Sequence, residues 1–425
     1  MKKILILLSF FTYHTSWTLA QSLEECQQAA ERNYPLIRQY DMIAKTTDLT
    51  VSNIQKGWLP QVTATAQATY QSDVTAWPDQ MQSMLANMGV DVAGLKKDQY
   101  RVGIDVQQTV YDGGVISHQK EIARREGEVK QAETDVTMYQ IRRRVNEMYF
   151  ALLLVDEQLK LNADLQELLA GNEQKIASMF KGGTAAESDY LNVKAERLNV
   201  VQQKTSLEAQ RKALCRALST FCGIEVKQAV KPAVVGNNQA ESNLRPELKA
   251  IDAQLRLADA RQKALNASRM PKFGVFAQGW YGYPGLNMFD DMMRHRWSLN
   301  GIVGARLTWN IGALYTHKND KEKLNVQRET FNVQRDVFLF NNNLEQIKQN
   351  ENIDRYRKLM ADDDEIINLR SSIRKAAESK LHHGIIDVND LVREINAENA
   401  AKVQKSVHET EMLKEIYDQN FTTNN

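Results

Sequence analysis

Between Gln99 and Lys181 the sequence changes its hydrophobic period once and then runs on without interruption. Tyr100, Val102, Ile104, Val106 and Val110 alternate with Arg101, Gly103, Asp105, Gln107 and Thr109, the two-residue period of a half-buried strand. Asp112-Gly113-Gly114 ends the alternation. From there Val115, Ile122, Val129 and Val136 fall seven apart, and Ile141, Val145, Met148, Leu152, Val155 and Leu159 step by four and three, a coiled-coil seam rather than a broad amphipathic face. A helix over 113–180 has about 68 residues and a length of roughly 100 Å, far beyond the helices of an ordinary globular domain.

Composition permits such helices. The 425-residue chain has seven prolines, and none lies between Asp79 and Lys231 or between Gly285 and Asn425. A net charge of +1 argues against a nucleic-acid partner. A mean hydropathy of −0.49 excludes a bundle of membrane helices, which leaves strands as the only elements able to meet a membrane. At the N-terminus, Lys2-Lys3, the apolar run from Ile4 to Phe11 and the small residues of Thr18-Leu19-Ala20 predict a secretory signal over 1–20, cleaved after Ala20. No lipobox precedes Cys26. Cys215 and Cys222, seven apart on one helix, stand about 10 Å from each other, beyond disulfide reach, so the three cysteines are read as structural.

The remaining chain reads as one scheme used twice. In the first repeat, 21–243, helices over Ser22–Arg32 and from Tyr34-Pro35 to Trp58 precede a strand at about 61–72, where Val62, Ala64, Ala66, Ala68 and Tyr70 alternate with polar residues. A long connection follows, in which Met81, Met84, Leu85 and Met88 keep helical spacing. Then come a strand at about 99–111, the long helix at about 113–180, a turn at Lys181-Gly182-Gly183-Thr184, a returning helix at about 186–222 and a linker. The second repeat, 244–425, predicts a helix from Pro246, strands at about 272–281 and 296–311, a long helix at about 313–381 and a returning helix at about 386–418. Pro35 and Pro60 are 25 residues apart, as are Pro246 and Pro271. Gly113 and Gly114 mark the first strand-to-helix turn and Gly312 the second, while Gly183–Asp189 and Gly384–Asp390 span the same six-residue step.

The fold class is thus mainly α with β. Each strand has one apolar face, and Tyr70, Tyr100, Tyr111, Tyr281, Trp297 and Trp309 lie near strand ends like the interfacial girdles of membrane strands. Four strands cannot close a barrel, and an open edge in lipid leaves backbone groups unpaired. Closure requires several chains, and three would supply a 12-stranded transmembrane β-barrel. The narrow helical seams fit a hollow coiled-coil barrel wetted on two sides. The competing expectation, a secreted coiled-coil structural or adhesive protein, accounts for the heptads but not for four strands at repeat-equivalent places.

The proline-started strands, the Tyr111-Asp112-Gly113-Gly114 turn and the duplicated glycine-to-aspartate tips make the chain resemble the TolC-type outer-membrane efflux proteins over nearly its whole mature length. That resemblance implies a homotrimer whose 12-stranded barrel sits in outer-membrane lipid and continues as a coiled-coil tunnel of 12 helices in the periplasm. It implies an exit duct for efflux or type I secretion, served by a periplasmic adaptor (membrane fusion protein) and an inner-membrane transporter of RND, ABC or MFS type. It further implies a periplasmic constriction ringed by Asp390 and Asp387, able to favour cations. Gly182, Gly183, Asp189 and Gly384 fall at the tips where adaptors dock, with Asp189 acting as a cap. Phe180 keeps an aromatic before the first tip, whereas Leu381 and Ile386 depart from the pattern, so the closed state must rest on other contacts than in relatives. His382 and His383 are read as exposed loop residues without a third metal ligand. No catalytic constellation stands out; no enzyme, cofactor or metal site is expected.

Overall fold

The computed structural model describes residues 21–90, 94–234 and 243–424, so the expected signal over 1–20 lies outside the described residues. The first half of the chain runs α1 (Leu23–Asn33), α2 (Arg38–Gln55), β1 (Gln61–Tyr70), α3 (Asp79–Asn87), β2 (Asp98–Tyr111), α4 (Val115–Lys181) and α5 (Glu187–Cys222). The second runs α6 (Pro246–Ala267), β3 (Lys272–Tyr283), α7 (Met288–Arg294), β4 (Ser298–Thr308), α8 (Ala313–His382) and α9 (Val388–Thr423). The long helices α4 and α8 have 67 and 70 residues, and the returning helices α5 and α9 have 36 each. The chain forms two compact units that cut across the repeats: Gln39–Glu133 with Glu247–Asp336, and the segments up to Arg38, Thr134–Pro246 and Val337 onward. Each unit therefore draws on both repeats.

In the first of these units the four strands form one antiparallel sheet in the order β1-β2-β3-β4, leaving β1 and β4 as edges. Their register aligns the apolar alternation of all four strands. Val62, Val106, Ala277 and Val303 form one row, and Ala66, Val102, Tyr281 and Leu299 another. Directly paired residues share a face, and this face is open: Val303 is 83 % and Leu299 82 % exposed. The opposite face carries Thr63, Asp105 and Gln278 in one row and Thr65, Gly103, Trp280 and Asn300 in the next. Two arginines of this face stack on aromatic rings, Arg101 over Trp280 at 4.4 Å and Arg306 over Phe276 at 5.0 Å.

The aromatic residues anticipated at the strand ends separate into two sets. Tyr100 stacks with Trp297 at 6.1 Å, Tyr281 meets Trp297 at 5.4 Å, and Tyr70 ends β1 at the same edge of the sheet. Tyr111 and Trp309 lie at the other end, where the indole Nε1 of Trp309 donates to Arg269 O at 2.9 Å. Tyr100 and Tyr111 are eleven steps apart, roughly 36 Å along a strand. Strict alternation would put Tyr111 on the polar face. A register shift between Thr109 and Tyr111 instead pairs Tyr111 with Phe273 and restores it to the apolar side. Val110, counted by alternation as an apolar-face residue, is the residue absorbed by that bulge.

The strand becomes a helix at Asp112, a buried carboxylate 5 % exposed. Its two oxygens accept from the N–H groups of Gly114 at 2.8 Å and Ile116 at 2.6 Å, satisfying donors that the first turn of α4 would otherwise leave unpaired. Gly113 and Gly114 take φ of 72° and 88°, and a Cβ on Gly113 would stand 2.5 Å from that of Met270. The second turn is built differently. Gly312 is not among the glycines of positive φ, and Ala313, Leu314 and Tyr315 donate three residues back to Asn310, Ile311 and Gly312. Asn310 therefore stands in the place of Asp112 without reproducing its paired acceptors, and β4 stops at Thr308, short of the expected 311.

The helix seams also depart from the heptad count. In the N-terminal part of α4, Ile116, Ala123, Gly127 and Ala132 are the buried residues, while Val115, Ile122, Val129 and Val136 are only half-buried. Small side chains let α2 approach closely: a Cβ on Gly127 would lie 2.4 Å from Thr47 Oγ1. In the second unit, burial on α4 widens to Met138, Tyr139, Ile141, Val145, Asn146, Tyr149, Phe150, Leu152, Leu153 and Val155, far more than a seam. Elements from both repeats surround it there. Tyr149 Oη lies 2.9 Å from Gln21 O and accepts from Val230 N at 2.9 Å, and Tyr139 stacks on Phe421 of α9 at 4.5 Å, with the Arg245 guanidinium 4.7 Å from the Phe421 ring. Among the described residues, no helix is long and apolar enough to cross a membrane.

Asp112→Ala removes both acceptors from the start of α4 and is expected to destabilise the protein by about 1–2 kcal/mol, whereas Asp112→Asn retains one acceptor and loses less. Chemical denaturation of the purified proteins measures the difference; equal midpoints for wild type and Asp112→Ala would remove the capping role.

Candidate functional site

Each long helix ends in the same backbone turn. Gly183 has φ 74° and Gly384 φ 71°. Gly183 N donates to Phe180 O at 3.0 Å and Thr184 N to Met179 O at 2.9 Å; Gly384 N donates to Leu381 O and Ile385 N to Lys380 O at the same two distances. This is the Schellman closure, in which a left-handed glycine lets the last carbonyls of the helix be paired. Gly182 sits one position earlier, its N–H donating to Ser178 O at 3.0 Å, inside the last helical turn. A Cβ on Gly183 or Gly384 would meet nothing within 4 Å, so these glycines are needed for backbone conformation and not for space.

The two returning helices start with complementary halves of one capping device. At the first tip the N-cap is Ala186, which has no side-chain acceptor, and Asp189 reaches back so that its Oδ2 accepts from Ala186 N at 3.2 Å. At the second tip the N-cap is Asp387, whose Oδ1 accepts from Asp390 N at 2.9 Å. Asp390 is thereby released from capping, and its carboxylate pairs with Arg393 one turn on, at 2.8 Å. Asp387 and Asp390 thus lie side by side at the start of α9, where one holds the helix start and the other carries a guanidinium beside it. The Asp-to-Arg spacing of three within a helix was the available signal for that partner.

The tips share one apolar cluster of Ile176, Val193 and Val388, packed by Tyr190, Leu381 and Val392. Leu381, where an aromatic was expected by resemblance, fills this cluster, while Phe180 stacks on Tyr190 at 6.5 Å. A second cluster, Leu165, Leu169, Val200, Ala377, Leu391 and Ile395, lies next along the same helices and takes Ile386 against it. Two polar contacts tie the returning helices to each other: Asn192 Nδ2 donates to Asn389 Oδ1 at 3.0 Å and Asn396 Nδ2 to Glu196 Oε1 at 2.8 Å. His382 and His383 meet edge to face at 5.5 Å, and His383 Nδ1 is 2.8 Å from Ser379 O.

The strongest electrostatic feature near the tips is one the heptad pattern does not disclose. Arg374 of α8 pairs with Glu398 of α9 and with Glu378 at 2.6 Å, and Glu398 also accepts from Lys402 at 2.9 Å. Only 5 % of the Glu398 side chain and 12 % of that of Arg374 are exposed. Burial works against both charges. The mutual hydrogen bonds and the neighbouring charges of Glu378 and Lys402 outweigh it, so Arg374 is held above its usual range and Glu398 below its own.

No protein-family model matches this chain, and no curated protein sequence does. Solved structures do match. CusC is similar at a TM-score of 0.68 and 11% identity, with 94% of this chain and 91% of that one aligned. The outer-membrane channel OprN gives 0.67 and 14% identity over 94% and 89%, and the MtrE outer-membrane channel of Neisseria gonorrhoeae, in its open state, gives 0.65 and 13% over 94% and 88%. The fold is therefore that of the TolC-type outer-membrane channels over 94% of the chain.

Because Glu398 is held below its ordinary value, its contribution to stability is complete above the unfolded carboxylate range and fades as pH falls through the lowered folded value. Glu398→Gln is expected to cost about 2–3 kcal/mol at neutral pH by leaving Arg374 under-paired, with the gap to wild type narrowing below about pH 4. Denaturation curves at both pH values test this, and a gap independent of pH would contradict the pairing.

Proposed function

We propose that this chain is one subunit of a homotrimeric outer-membrane duct that passively conducts substrates from a periplasmic adaptor and an inner-membrane transporter to the cell exterior, in efflux or type I secretion. The carrying observation is the sheet: an exposed apolar face, aromatic residues at both ends, and two unpaired edges, β1 and β4. A strand tilted by about 40° turns the 36 Å between Tyr100 and Tyr111 into roughly 28 Å of bilayer, close to the apolar band of an outer-membrane barrel. Lipid tolerates no open edge, so the edges must be met by copies of the same sheet, and three copies make 12 strands. The similarity to channels named as outer-membrane proteins supports this assignment.

The helices support it independently. Val326, Val333, Val337, Phe340, Leu344 and Ile347 repeat at heptad spacing on α8 and stay exposed in the single chain, Phe340 at 64 %. Neighbouring subunits would bury that seam and leave the polar remainder to water inside and outside a helical barrel standing in the periplasm. At its tip, three copies of Asp387 and Asp390 would ring a constriction that favours cations, with each Asp390 partly compensated by its own Arg393. Gly182, Gly183, Asp189 and Gly384 would present the tip turns to an adaptor. Energy for transport would come from the partner transporter.

The reading is tested by a photo-crosslinker placed at Ala186, beside the first tip, with mass spectrometry of the captured species; recovery of a periplasmic adaptor is the expected result, and capture of only the chain itself or a surface protein overturns the duct. In planar bilayers, Asp390→Ala is expected to lower cation selectivity and Arg393→Ala to raise it, since the two side chains compensate each other. Unchanged reversal potentials in both would remove these residues from the constriction.

A further inference from the structure

The sequence offered Cys215 and Cys222 as the only neighbouring cysteines. The fold instead brings Cys26 to Cys222. Cys26 lies in α1 and is 0 % exposed; Cys222 is the last residue of α5 and is 2 % exposed. The Cys222 sulfur is 3.3 Å from the Cys26 carbonyl oxygen, so the two residues are in direct contact. Cys215 faces elsewhere, 3.7 Å from Lys227 O and half-buried.

The contact between α1 and α5 is held on both sides of this pair. Asn33 Nδ2 donates to Thr220 O and Phe221 O, both at 3.2 Å, satisfying carbonyls that the end of α5 leaves open. Gly223 then closes α5 in the left-handed conformation, with Asn33 so near that a Cβ on Gly223 would stand 2.5 Å from it. The Tyr34 and Phe221 rings meet at 5.6 Å. Buried, in contact through the Cys222 sulfur and clamped by these flanking contacts, the two cysteines are brought together by the fold.

We propose that Cys26 and Cys222 close to a disulfide as the exported chain folds, anchoring the start of the mature chain to the end of α5 and leaving Cys215 as the free thiol. The inference rests on the export reading for its oxidant, a dithiol-accepting disulfide of an oxidising compartment. The Cys222 thiolate attacks a sulfur of that oxidant and releases the oxidant's other sulfur as a thiolate. The Cys26 thiolate then attacks Cys222 Sγ in the mixed disulfide, forming the internal S–S bond as the Cys222–oxidant bond breaks and the oxidant's remaining sulfur leaves as a thiolate. Two electrons pass to the oxidant, and the two protons lost by the cysteines complete its dithiol. Both sulfurs are buried once α1 has seated, so oxidation belongs to the folding chain and the finished bond is shielded from reductants. Its ends are 196 positions apart, a separation over which a cross-link restricts the unfolded chain strongly.

The test uses the full chain with all three cysteines, reduced in denaturant and refolded in a glutathione redox buffer, then digested without reductant and mapped by mass spectrometry. The expected product is a Cys26–Cys222 linked pair, lighter by two hydrogens, with Cys215 alone open to alkylation; Cys215→Ser keeps the link and Cys222→Ser loses it. Three alkylatable thiols, or a dominant pairing that includes Cys215, overturn the proposal. The same mapping on protein trapped with an alkylating agent at cell lysis is expected to find the link, and free Cys26 and Cys222 there overturn it in the cell. Location is read separately by membrane fractionation, so a chain that pairs on refolding but is reduced and absent from the outer membrane indicts the export reading, not the geometry.

Discussion

Lateral burial of narrow seams is what the whole molecule depends on. A helix of 67 or 70 residues draws little stability from its own propensities and most of it from what packs along its side. Here that support changes along the length. Near the sheet, α4 is approached closely over small residues, with Gly127 against Thr47; further on it is enclosed by the N-terminal segment, the linker and α9 around Tyr149 and Tyr139; toward the tips it shares Leu165 and Leu169 with α8 and α9. On α8 a run of heptad residues from Val326 to Ile347 stays exposed among the described residues, the feature on which the proposed packing of further copies rests.

The repeats are equivalent in topology and unequal in chemistry. Both tips use an identical glycine closure, yet one helix start is capped by the third residue and the other by the first. Both strands lead into helices, yet only the Asp112 turn has a buried carboxylate accepting two backbone donors. A duplicated frame keeps the backbone geometry each turn requires, while the side chains that satisfy it are free to diverge wherever another group can accept the same hydrogen bond. That freedom leaves Asp390 available at the second tip and engages Asp189 at the first.

The charged residues follow the same division between solvent and interior. Most ion pairs on the long helices are exposed and contribute little. Arg374 with Glu398 is different, because both are buried between α8 and α9 and each would be costly alone. Such a pair makes one alignment of the two helices much better than its neighbours, close to the turn that joins them. The glutamates and arginines of a heptad pattern look alike in sequence, and burial alone separates this pair from the rest.

Periodicity was enough to read the elements themselves. Alternation and heptads are consequences of which side of a strand or helix faces away from water, so the four strands, the two long helices, the proline spacing and the glycine tips were legible from Pro35 to Gly183 and again from Pro246 to Gly384. What periodicity cannot carry is any contact between elements far apart in the chain. The bulge that returns Tyr111 to the apolar face, the wide burial around Tyr149 and the meeting of Cys26 with Cys222 each depend on a partner strand or helix whose approach is set by packing, and the energy of such a contact is a property of the assembled pair that neither segment displays alone.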